Sequence, residues 1–327
     1  MRLDYGNYVA SRAGLADLEA NLRAAHVNLV ALGAGRPEWV YFKWAEHPEN
    51  WSGEVKDQGI DYLMEDARRF GQWAQVDAVV DVYAPVYIQA HPDLAALSWL
   101  GKPSQYLVNT TELVDGAYGR LLLGMIEAVA RDYPVDSISI TELMYYTEGY
   151  SDADKSAFLA ATGRADWPRL ANGLINIDHP AIGQWRSQEI GRFLDKARAI
   201  TSKYGKKLYV DASVTWNAPS DLGQSTGTRY DVLLAHADKI ILWDYFGLNG
   251  KSPDFSAGLA RIVAPLGQDR VILSLGLWAA NQRTITPAQL ELALASAREG
   301  GLNDFWITPS LLMSDAHWQA LAAAYAK

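Results

Sequence analysis

Residues 136–146 read DSISITELMYY, a stretch in which hydroxyl side chains alternate with isoleucines before a glutamate, Glu142, and two tyrosines. Such alternation is typical of a β-strand whose two faces meet different surroundings. Three further stretches carry an acid near aromatic residues: residues 77–83 (DAVVDVY), 208–213 (LYVDAS) and 239–246 (KIILWDYF). An acidic side chain in a mostly apolar strand costs free energy unless it is paired or used. The four stretches therefore predict acids that gather at one end of a sheet.

Strand and helix patterns alternate along the whole chain. The predicted strands are Arg2–Tyr5, Val27–Leu32, Ala78–Tyr83, Asp136–Glu142, Leu208–Val214, Ile240–Asp244, Val271–Leu277 and Asp304–Thr308. Most of them are continuous apolar runs, as expected for parallel strands that are covered on both faces. Eight strands with their helices predict an α/β fold, a single (β/α)8 TIM barrel in which residues 1–327 form one domain.

The longest predicted connections follow the second, third and fourth strands, at Gly33–Gly59, Ala84–Asn109 and Leu143–Gly183. The turns that lead from helices back into strands, such as Tyr204–Lys207, are short. TIM-barrel enzymes build their sites from the loops at the C-terminal ends of the strands. This asymmetry therefore predicts a functional site at that end of the barrel.

The composition argues against several classes of function. A net charge of −9 disfavours a nucleic-acid partner, which needs a basic surface. No run of about 18 apolar residues is present, so no membrane span is predicted. The chain has no cysteine, which excludes thiol chemistry, and its six histidines show no metal-binding spacing. We therefore predict neither a metal site nor a cofactor.

Glu142 is the strongest candidate for a catalytic residue because it ends the fourth predicted strand behind small hydroxyl side chains. Glu142 lies an even number of residues after Ile138, so in an unbroken strand both side chains would point to the outer face of the barrel. Glu142 therefore needs a bulge or turn at the strand end to reach the interior. Asp211 shares parity with Tyr209 and is expected inside the barrel near the mouth. Asp244 ends the sixth strand between aromatic residues.

Acids that converge at the mouth of a parallel barrel are typical of glycosidases, which use one protonated acid and one ionised carboxylate. We predict Glu142 as the general acid and either Asp211 or Asp244 as its partner. Asp81 is expected to position the substrate, and Asp4 to be structural or to form a hydrogen bond to the substrate. Whether the anomeric configuration is retained or inverted stays open.

Twelve tryptophans and 17 tyrosines suit a sugar-binding site, because the apolar faces of sugar rings stack on aromatic side chains. The residues predicted to bind substrate are Asp81, Tyr83, Tyr145, Trp44, Trp216, Trp243 and Trp278. The acidic net charge disfavours an anionic polymer. We expect a neutral or cationic poly- or oligosaccharide in an open cleft. An extracellular or periplasmic location is expected although no signal peptide is recognised, with the cytoplasm as the alternative, and the oligomeric state stays open.

The segment after the fourth strand contains the run Tyr150-Ser151-Asp152-Ala153-Asp154. Further along follow Phe158, Thr162-Gly163, Trp167, Trp185-Arg186, Ile190 and Phe193. This pattern, about a fifth of the chain, resembles a glycosyl hydrolase-like (β/α)8 barrel family of bacterial glycosidases. The resemblance implies a barrel that acts on carbohydrate, with a catalytic acid at the end of the fourth strand, here Glu142. Many members of that family have an aspartate where Thr141 stands.

Two other functions compete with glycoside hydrolysis. A non-catalytic carbohydrate-binding barrel would keep the aromatic mouth but would not need paired acids. A lyase or aldolase barrel would need a Schiff-base lysine or a metal near the mouth. Lys206, Lys207 and Lys239 are predicted at the opposite ends of their strands, which disfavours this reading. The seventh strand, Val271–Trp278, carries no acid, so the catalytic pair is left to strands four, five and six.

Overall fold

A computed structural model describes residues 1–3 and 14–325 of the chain. Its central strands are β1 (Arg2–Leu3), β2 (Leu29–Arg36), β3 (Gln75–Asp81), β4 (Ser137–Thr141), β5 (Lys207–Ala212), β6 (Lys239–Asp244), β7 (Val271–Gly276) and β8 (Phe305–Thr308). Each strand pairs in parallel with the next in chain order, and β8 contacts β1, so the barrel is nearly closed. The predicted α/β TIM-barrel fold is confirmed.

The described helices are α1 (Leu15–Ala24), α2 (Gly53–Gln58), α3 (Tyr62–Phe70), α4 (Pro85–Ala90), α5 (Thr110–Asp115), α6 (Ala117–Asp132), α7 (Asp152–Thr162), α8 (Pro180–Lys203), α9 (Tyr230–His236), α10 (Phe255–Val263), α11 (Pro287–Glu299) and α12 (Asp315–Tyr325). Helix α11 begins where the sequence dictates, because the Thr286 side chain and Gln289 form a reciprocal capping box around Pro287. Within the described part of the chain, no helix combines the length and the apolar character needed to cross a membrane.

The interior of the barrel is packed by side chains from six strands. These buried residues are Ala31, Val79, Tyr209, Ile241, Ile272 and Trp306. A separate, larger apolar cluster lies between the strands and the helices. Because side chains alternate between the two faces of a strand, the interior cluster fixes the direction of their neighbours. Asp211 lies two residues after Tyr209 and points inward, whereas Asp244 lies three residues after Ile241 and faces the helices.

The structure corrects the predicted ends of two strands. The second strand spans Leu29–Arg36 instead of ending at Leu32, and its pairing with β3 becomes irregular between Gly33 and Gly35. The fourth strand ends at Thr141, so Glu142 lies just beyond it. Asp4 and the last residue of the first predicted strand lie outside the described residues.

Connections at the C-terminal ends of the strands form the walls of the mouth. The connection after β3 contains α4 and an antiparallel pair of short strands, Ala95–Leu97 and Pro103–Val108. The connection after β7 contains a second antiparallel pair, Trp278–Ala279 and Arg283–Thr284. These short strand pairs extend the walls of the mouth at the C-terminal ends of the barrel strands, where the predicted acids lie.

The connection after β4 has an apolar cluster of its own, centred on Phe158, Trp167 and Trp185. The rings of Phe158 and Trp167 stack with centroids 4.3 Å apart. Asp154 caps the start of α7 and also accepts a 2.8 Å hydrogen bond from the backbone N–H of Thr110. The residues that carry the family resemblance therefore fix this long connection in place.

Candidate active site

Glu142 follows β4 directly and has a φ of +70°, an uncommon backbone conformation for a residue with a side chain. Continuation of the strand would have turned its carboxylate toward the helices, as Ile140 is turned. The left-handed turn instead directs Glu142 into the mouth, where it lines the cleft. The turn predicted as necessary for an inward Glu142 is therefore present. Strained backbone at a site residue is a common feature of functional sites.

The Glu142 carboxylate is mostly buried and interacts with Tyr83 from the end of the neighbouring strand. The Tyr83 hydroxyl donates a 2.8 Å hydrogen bond to Oε2 of Glu142. Burial raises the pKa of Glu142 above its ordinary value, while the Tyr83 hydroxyl and the charge of Arg2 act in the opposite direction. A carboxyl group whose pKa is raised by burial keeps its proton to higher pH, as a general acid requires.

Asp211 lies on the inner face of β5 beneath the mouth and is only 6% exposed. Its Oδ2 accepts hydrogen bonds from the Thr141 hydroxyl at 2.5 Å and from the Trp243 indole N–H at 2.9 Å. Nη1 of Arg2 lies 4.0 Å from the same oxygen. Burial raises the pKa of Asp211 to about 6, against the opposing effect of Arg2 and the two hydrogen bonds. Asp211 is therefore held in one orientation by groups that favour its ionised form.

Asp81 ends β3 beside this pair. Its Oδ1 accepts a 2.8 Å hydrogen bond from the backbone N–H of Tyr83, which fixes the start of the connection that carries the tyrosine ring. Burial raises the pKa of Asp81 to about 6, and the charge of Glu142 acts in the same direction. Glu142 also raises the pKa of Asp211. The structure thus brings Glu142 close enough to Asp211 and to Asp81 for its charge to affect the ionisation of each.

Asp244 lies on the opposite side of the sheet. It is fully buried between β6 and α10, where the Ser256 hydroxyl donates a 2.5 Å hydrogen bond to its Oδ2. Its Oδ1 has no hydrogen-bond partner, and burial raises its pKa to about 7. Asp211 and Asp81 point into the barrel, whereas Asp244 faces α10, and none of these three aspartates lines either cavity of the mouth. The structure therefore does not bring Asp244 to the other predicted acids.

The mouth contains two adjoining cavities. The smaller, about 540 Å³, is lined by Glu142, Trp243 and Trp278 among others. The larger, about 800 Å³, is lined by Tyr83, Tyr106 and Glu148 among others. Met144, Ser213, Val214 and Trp216 line both cavities, so these residues form the ridge between them. Together the cavities make an open, largely aromatic cleft across the barrel mouth.

Four of the predicted aromatic binding residues line this cleft: Tyr83, Trp216, Trp243 and Trp278. Trp243 stacks on Tyr245 with ring centroids 5.7 Å apart and an interplanar angle of 11°. The ring of Trp278 meets the same tyrosine at 5.2 Å. The smaller cavity therefore has a continuous aromatic wall beside Glu142.

Two predicted binding residues lie away from the cleft. Tyr145 is 1% exposed, and its hydroxyl donates to the backbone carbonyl of Val108. Trp44 is 2% exposed and packs against Phe42 and His47. Both side chains support the walls of the mouth from behind. The sequence did not reveal this, because both residues lie in irregular connections, where no strand pattern tells which way a side chain points.

Several cleft residues escaped the sequence analysis. They are Arg2, Ser104, Tyr106, Leu107, Met144, Tyr146, Thr147, Glu148, Asp178, Tyr245, Leu248 and Asn249. Most of them lie in loops, where neither helical nor strand periodicity assigns a side to a residue. Tyr245 and Glu148 could have been found, because both stand within a few residues of a predicted catalytic acid.

Buried Arg186 of α8 positions part of this missed set. Its guanidinium donates to the backbone carbonyls of Tyr146 and Glu148 at 3.3 and 3.1 Å. The Tyr146 hydroxyl in turn donates a 2.9 Å hydrogen bond to Asp178. Among residues 1–3 and 14–325, no group of three or more His, Asp or Glu side chains is arranged to hold a metal ion.

No known family model matches the chain, and no curated protein matches it in sequence. Its structure is similar to the PgaB (BpsB) glycoside hydrolase domain from Bordetella bronchiseptica, with a TM-score of 0.71 and 17% identity over 99% of this chain and 97% of that one. A chitinase from Chromobacterium violaceum gives a TM-score of 0.54 and 12% identity over 100% and 99% of the two chains.

A GH20 exo-β-N-acetylglucosaminidase from Vibrio harveyi, solved in complex with N-acetylglucosamine, gives a TM-score of 0.52 and 14% identity. The similarity covers 99% of this chain and 53% of that enzyme. Identities this low establish a shared fold. The chain thus has a TIM-barrel fold found in several glycoside hydrolases, and its candidate active site lies at the C-terminal ends of the strands, as in TIM-barrel enzymes generally.

Proposed function

We propose that this chain is a glycoside hydrolase that cleaves O-glycosidic bonds in a poly- or oligosaccharide. The observation that carries the proposal is Glu142, which a left-handed turn directs into an aromatic cleft where Tyr83 binds its carboxylate. A general acid must reach the glycosidic oxygen from within a sugar-binding cleft. The fold shared with the glycoside hydrolases described above supports the same function.

In this proposal Glu142 donates its proton to the leaving oxygen. Burial supports the role, because it raises the pKa of the carboxyl group and so favours the protonated form before the reaction. As the bond breaks, the carboxyl group becomes negatively charged, and the Tyr83 hydroxyl bond to Oε2 stabilises that product form.

Asp211 is the proposed partner in preference to Asp244. The sugar acquires positive charge in the transition state of glycoside hydrolysis, and a fixed ionised carboxylate near it lowers the barrier. Asp211 points into the barrel interior beneath the cavities and is held by Thr141 and Trp243. Asp244 faces the helix layer, which argues against the catalytic role predicted for it. Asp81, also inward, is proposed to position the substrate.

The proposed substrate is a neutral or cationic saccharide chain, and we place its hydrolysis outside the cytoplasm, in an extracellular or periplasmic setting. The cleft walls combine aromatic rings with carboxylates, and Arg2 is the one lysine or arginine among the described residues that line the two cavities. Carboxylates would repel uronic-acid or sulfated polymers. The absence of a lining lysine from this described set also gives a Schiff-base lyase or aldolase no support.

The decisive experiment compares the wild-type chain with the Glu142→Gln variant on neutral, amino-sugar, uronic-acid and sulfated oligosaccharides, with product analysis. We expect hydrolysis of a neutral or amino-sugar member and a loss of about 10²–10⁴-fold in rate for the variant. Glu291→Gln, at an exposed position of α11, is the matched control. Binding to saccharides without cleavage by the wild type would favour a non-catalytic carbohydrate-binding barrel. Wild-type turnover by Glu142→Gln would remove Glu142 from the mechanism.

A further inference from the structure

The larger cavity of the mouth has no part in the proton transfer described above. Glu142 lines the smaller cavity only, and Asp211 and Asp81 line neither cavity. At about 800 Å³ the larger cavity is the size of sites that bury a drug-sized ligand, about two sugar rings. It also continues the cleft past the ridge formed by Met144 and Trp216. A saccharide chain that crosses the smaller cavity therefore has room to extend into it.

The walls of the larger cavity suit a sugar ring. The rings of Tyr83 and Tyr106 lie 5.1 Å apart, and Tyr106 is 51% exposed despite its size. Trp216 lines the same cavity and stacks on Phe255 at 5.1 Å, which holds the indole in place. Exposed aromatic rings fixed around a cavity offer flat apolar surface at a low cost in conformational entropy, as in saccharide and protein recognition sites.

The polar side chains of this cavity include several hydroxyl groups, the Asn217 amide and two carboxylates, Glu148 and Asp178. Glu148 is half-buried and accepts a hydrogen bond from the Ser104 side chain, while Asp178 accepts a hydrogen bond from Tyr146. No lysine or arginine stands among the described residues that line this cavity. Sugar hydroxyl groups both donate and accept hydrogen bonds and therefore suit a lining of hydroxyls and carboxylates, and amino groups would be attracted to the two carboxylates. Anionic sugar units would meet uncompensated carboxylates.

Tyr83 connects this cavity to the catalytic acid. Its ring lines the larger cavity, and its hydroxyl donates to Glu142, which lines the smaller one. Its backbone N–H is bound to Asp81, so the tyrosine is fixed at both ends. A ligand that packs on the ring restricts a side chain that binds the Glu142 carboxylate directly.

We propose that the larger cavity binds a further, non-anionic stretch of the saccharide chain, and that Tyr83 couples occupancy of this cavity to the orientation of Glu142. This inference rests on the proposed hydrolase function. Binding energy gained away from the reacting bond then improves catalysis at that bond, so that longer chains raise kcat as well as lowering KM. Tyr83 is a positioning residue in this scheme, and Tyr106 is part of the binding surface.

The test measures kcat and KM on a series of oligosaccharides of increasing length and on a short chromogenic glycoside. We expect wild-type kcat to rise with length until the larger cavity is filled. Tyr106→Ala should lower kcat/KM about tenfold more for the long substrates than for the short one, and Tyr106→Phe should restore it, because the stacking surface returns. Leu292→Ala, at an exposed site on α11, controls for general effects of substitution.

Tyr83→Phe tests the coupling, since it keeps the ring and removes only the hydroxyl. Loss of this hydrogen bond should reduce the dependence of kcat on chain length and move the basic limb of the pH profile to higher pH, because the bond lowers the pKa of Glu142. A purely structural role for Tyr83 would not shift that limb. Thermal melting of each variant shows that the fold is intact.

Calorimetric binding to the Glu142→Gln variant separates the two proposals. Hydrolysis by the wild type without any effect of chain length on kcat or affinity would overturn this inference and leave the hydrolase function standing. An equal loss on short and long substrates in Tyr106→Ala would also overturn it. Length-dependent binding without hydrolysis by the wild type would overturn the proposed function and the coupling through Tyr83 with it.

Discussion

Two aspartates on adjacent strands, Asp211 of β5 and Asp244 of β6, show how little separates a site residue from a structural one. Both are buried, both have a pKa raised by burial, and both accept a 2.5 Å hydrogen bond from a hydroxyl side chain. Asp211 points to the inside of the barrel beneath the mouth, and Asp244 points to the helices. The difference is the parity of the two positions relative to the interior cluster, because side chains alternate along a strand.

The comparison predicts opposite results when each carboxylate is made neutral. Asp211→Asn removes the fixed negative charge beneath the cleft, and we expect kcat to fall by about 10²-fold or more. Asp244→Asn should leave kcat within about twofold of the wild type, since this carboxylate is buried on the helix side of the sheet. Steady-state assays on the preferred oligosaccharide measure both variants. A large loss of kcat in Asp244→Asn with an intact fold would return Asp244 to the catalytic pair.

The second prediction concerns stability. The folded-state pKa of Asp244 is about 7, above the 3.8 of an unperturbed aspartate, so the unfolded chain releases this proton more readily. The free energy of unfolding therefore falls as the pH rises from 3.8 to about 7, and above about pH 7 this loss of stability is complete. Asp244→Asn removes that loss.

Thermal melting of the wild type and of Asp244→Asn at pH 5 and pH 8 measures this effect. We expect the free energy of unfolding of the variant to rise, relative to that of the wild type, by about 2–3 kcal/mol between pH 5 and pH 8. The difference between the two proteins matters here, because Asp77, Asp81 and Asp211 also have a pKa raised to about 6 and titrate in both. The same stability difference at both pH values would contradict the prediction.

The third prediction removes the hydroxyl that binds Asp211. Thr141→Val keeps the shape of the side chain but deletes the hydroxyl that donates to Oδ2 of Asp211. The Trp243 N–H then remains as the neutral donor to that oxygen. Because this bond lowers the pKa of Asp211, its loss should lower kcat about tenfold and move the acidic limb of the pH profile to higher pH. An unchanged profile would show that Asp211 does not act as the ionised partner.

The fourth prediction is the matched change at the other aspartate. Ser256→Ala deletes the hydroxyl that donates to Asp244 and leaves a buried carboxyl group without that partner. We expect the free energy of unfolding to fall by about 1 kcal/mol, with kcat unchanged. Denaturant unfolding and the same steady-state assay test the two parts. A fall in kcat comparable to that of Thr141→Val would erase the distinction between the two sides of the sheet.

The sequence alone was sufficient for the barrel and for part of its site. The fold is predicted by continuous apolar strands that alternate with capped helices, because the strands of a parallel sheet are buried on both faces. The long connections at one end of the strands predict where the site lies. Strand parity also placed Asp211 inside the barrel. The same rule, applied to Ile241, would have placed Asp244 outside, but the aromatic residues around Asp244 suggested a site instead.

Only the tertiary structure decided where Glu142 points and what surrounds it. The left-handed turn at Glu142 breaks strand parity, and no residue pattern on either side requires it. Residues of the long connections, such as Tyr106 and Glu148, reach the cleft through contacts with distant segments, including the hydrogen bond from Arg186 to the carbonyl of Glu148. Local sequence fixes secondary structure through periodicity and capping. The direction of a side chain at the end of a strand or in a loop depends on packing between distant parts of the chain, which periodicity does not record.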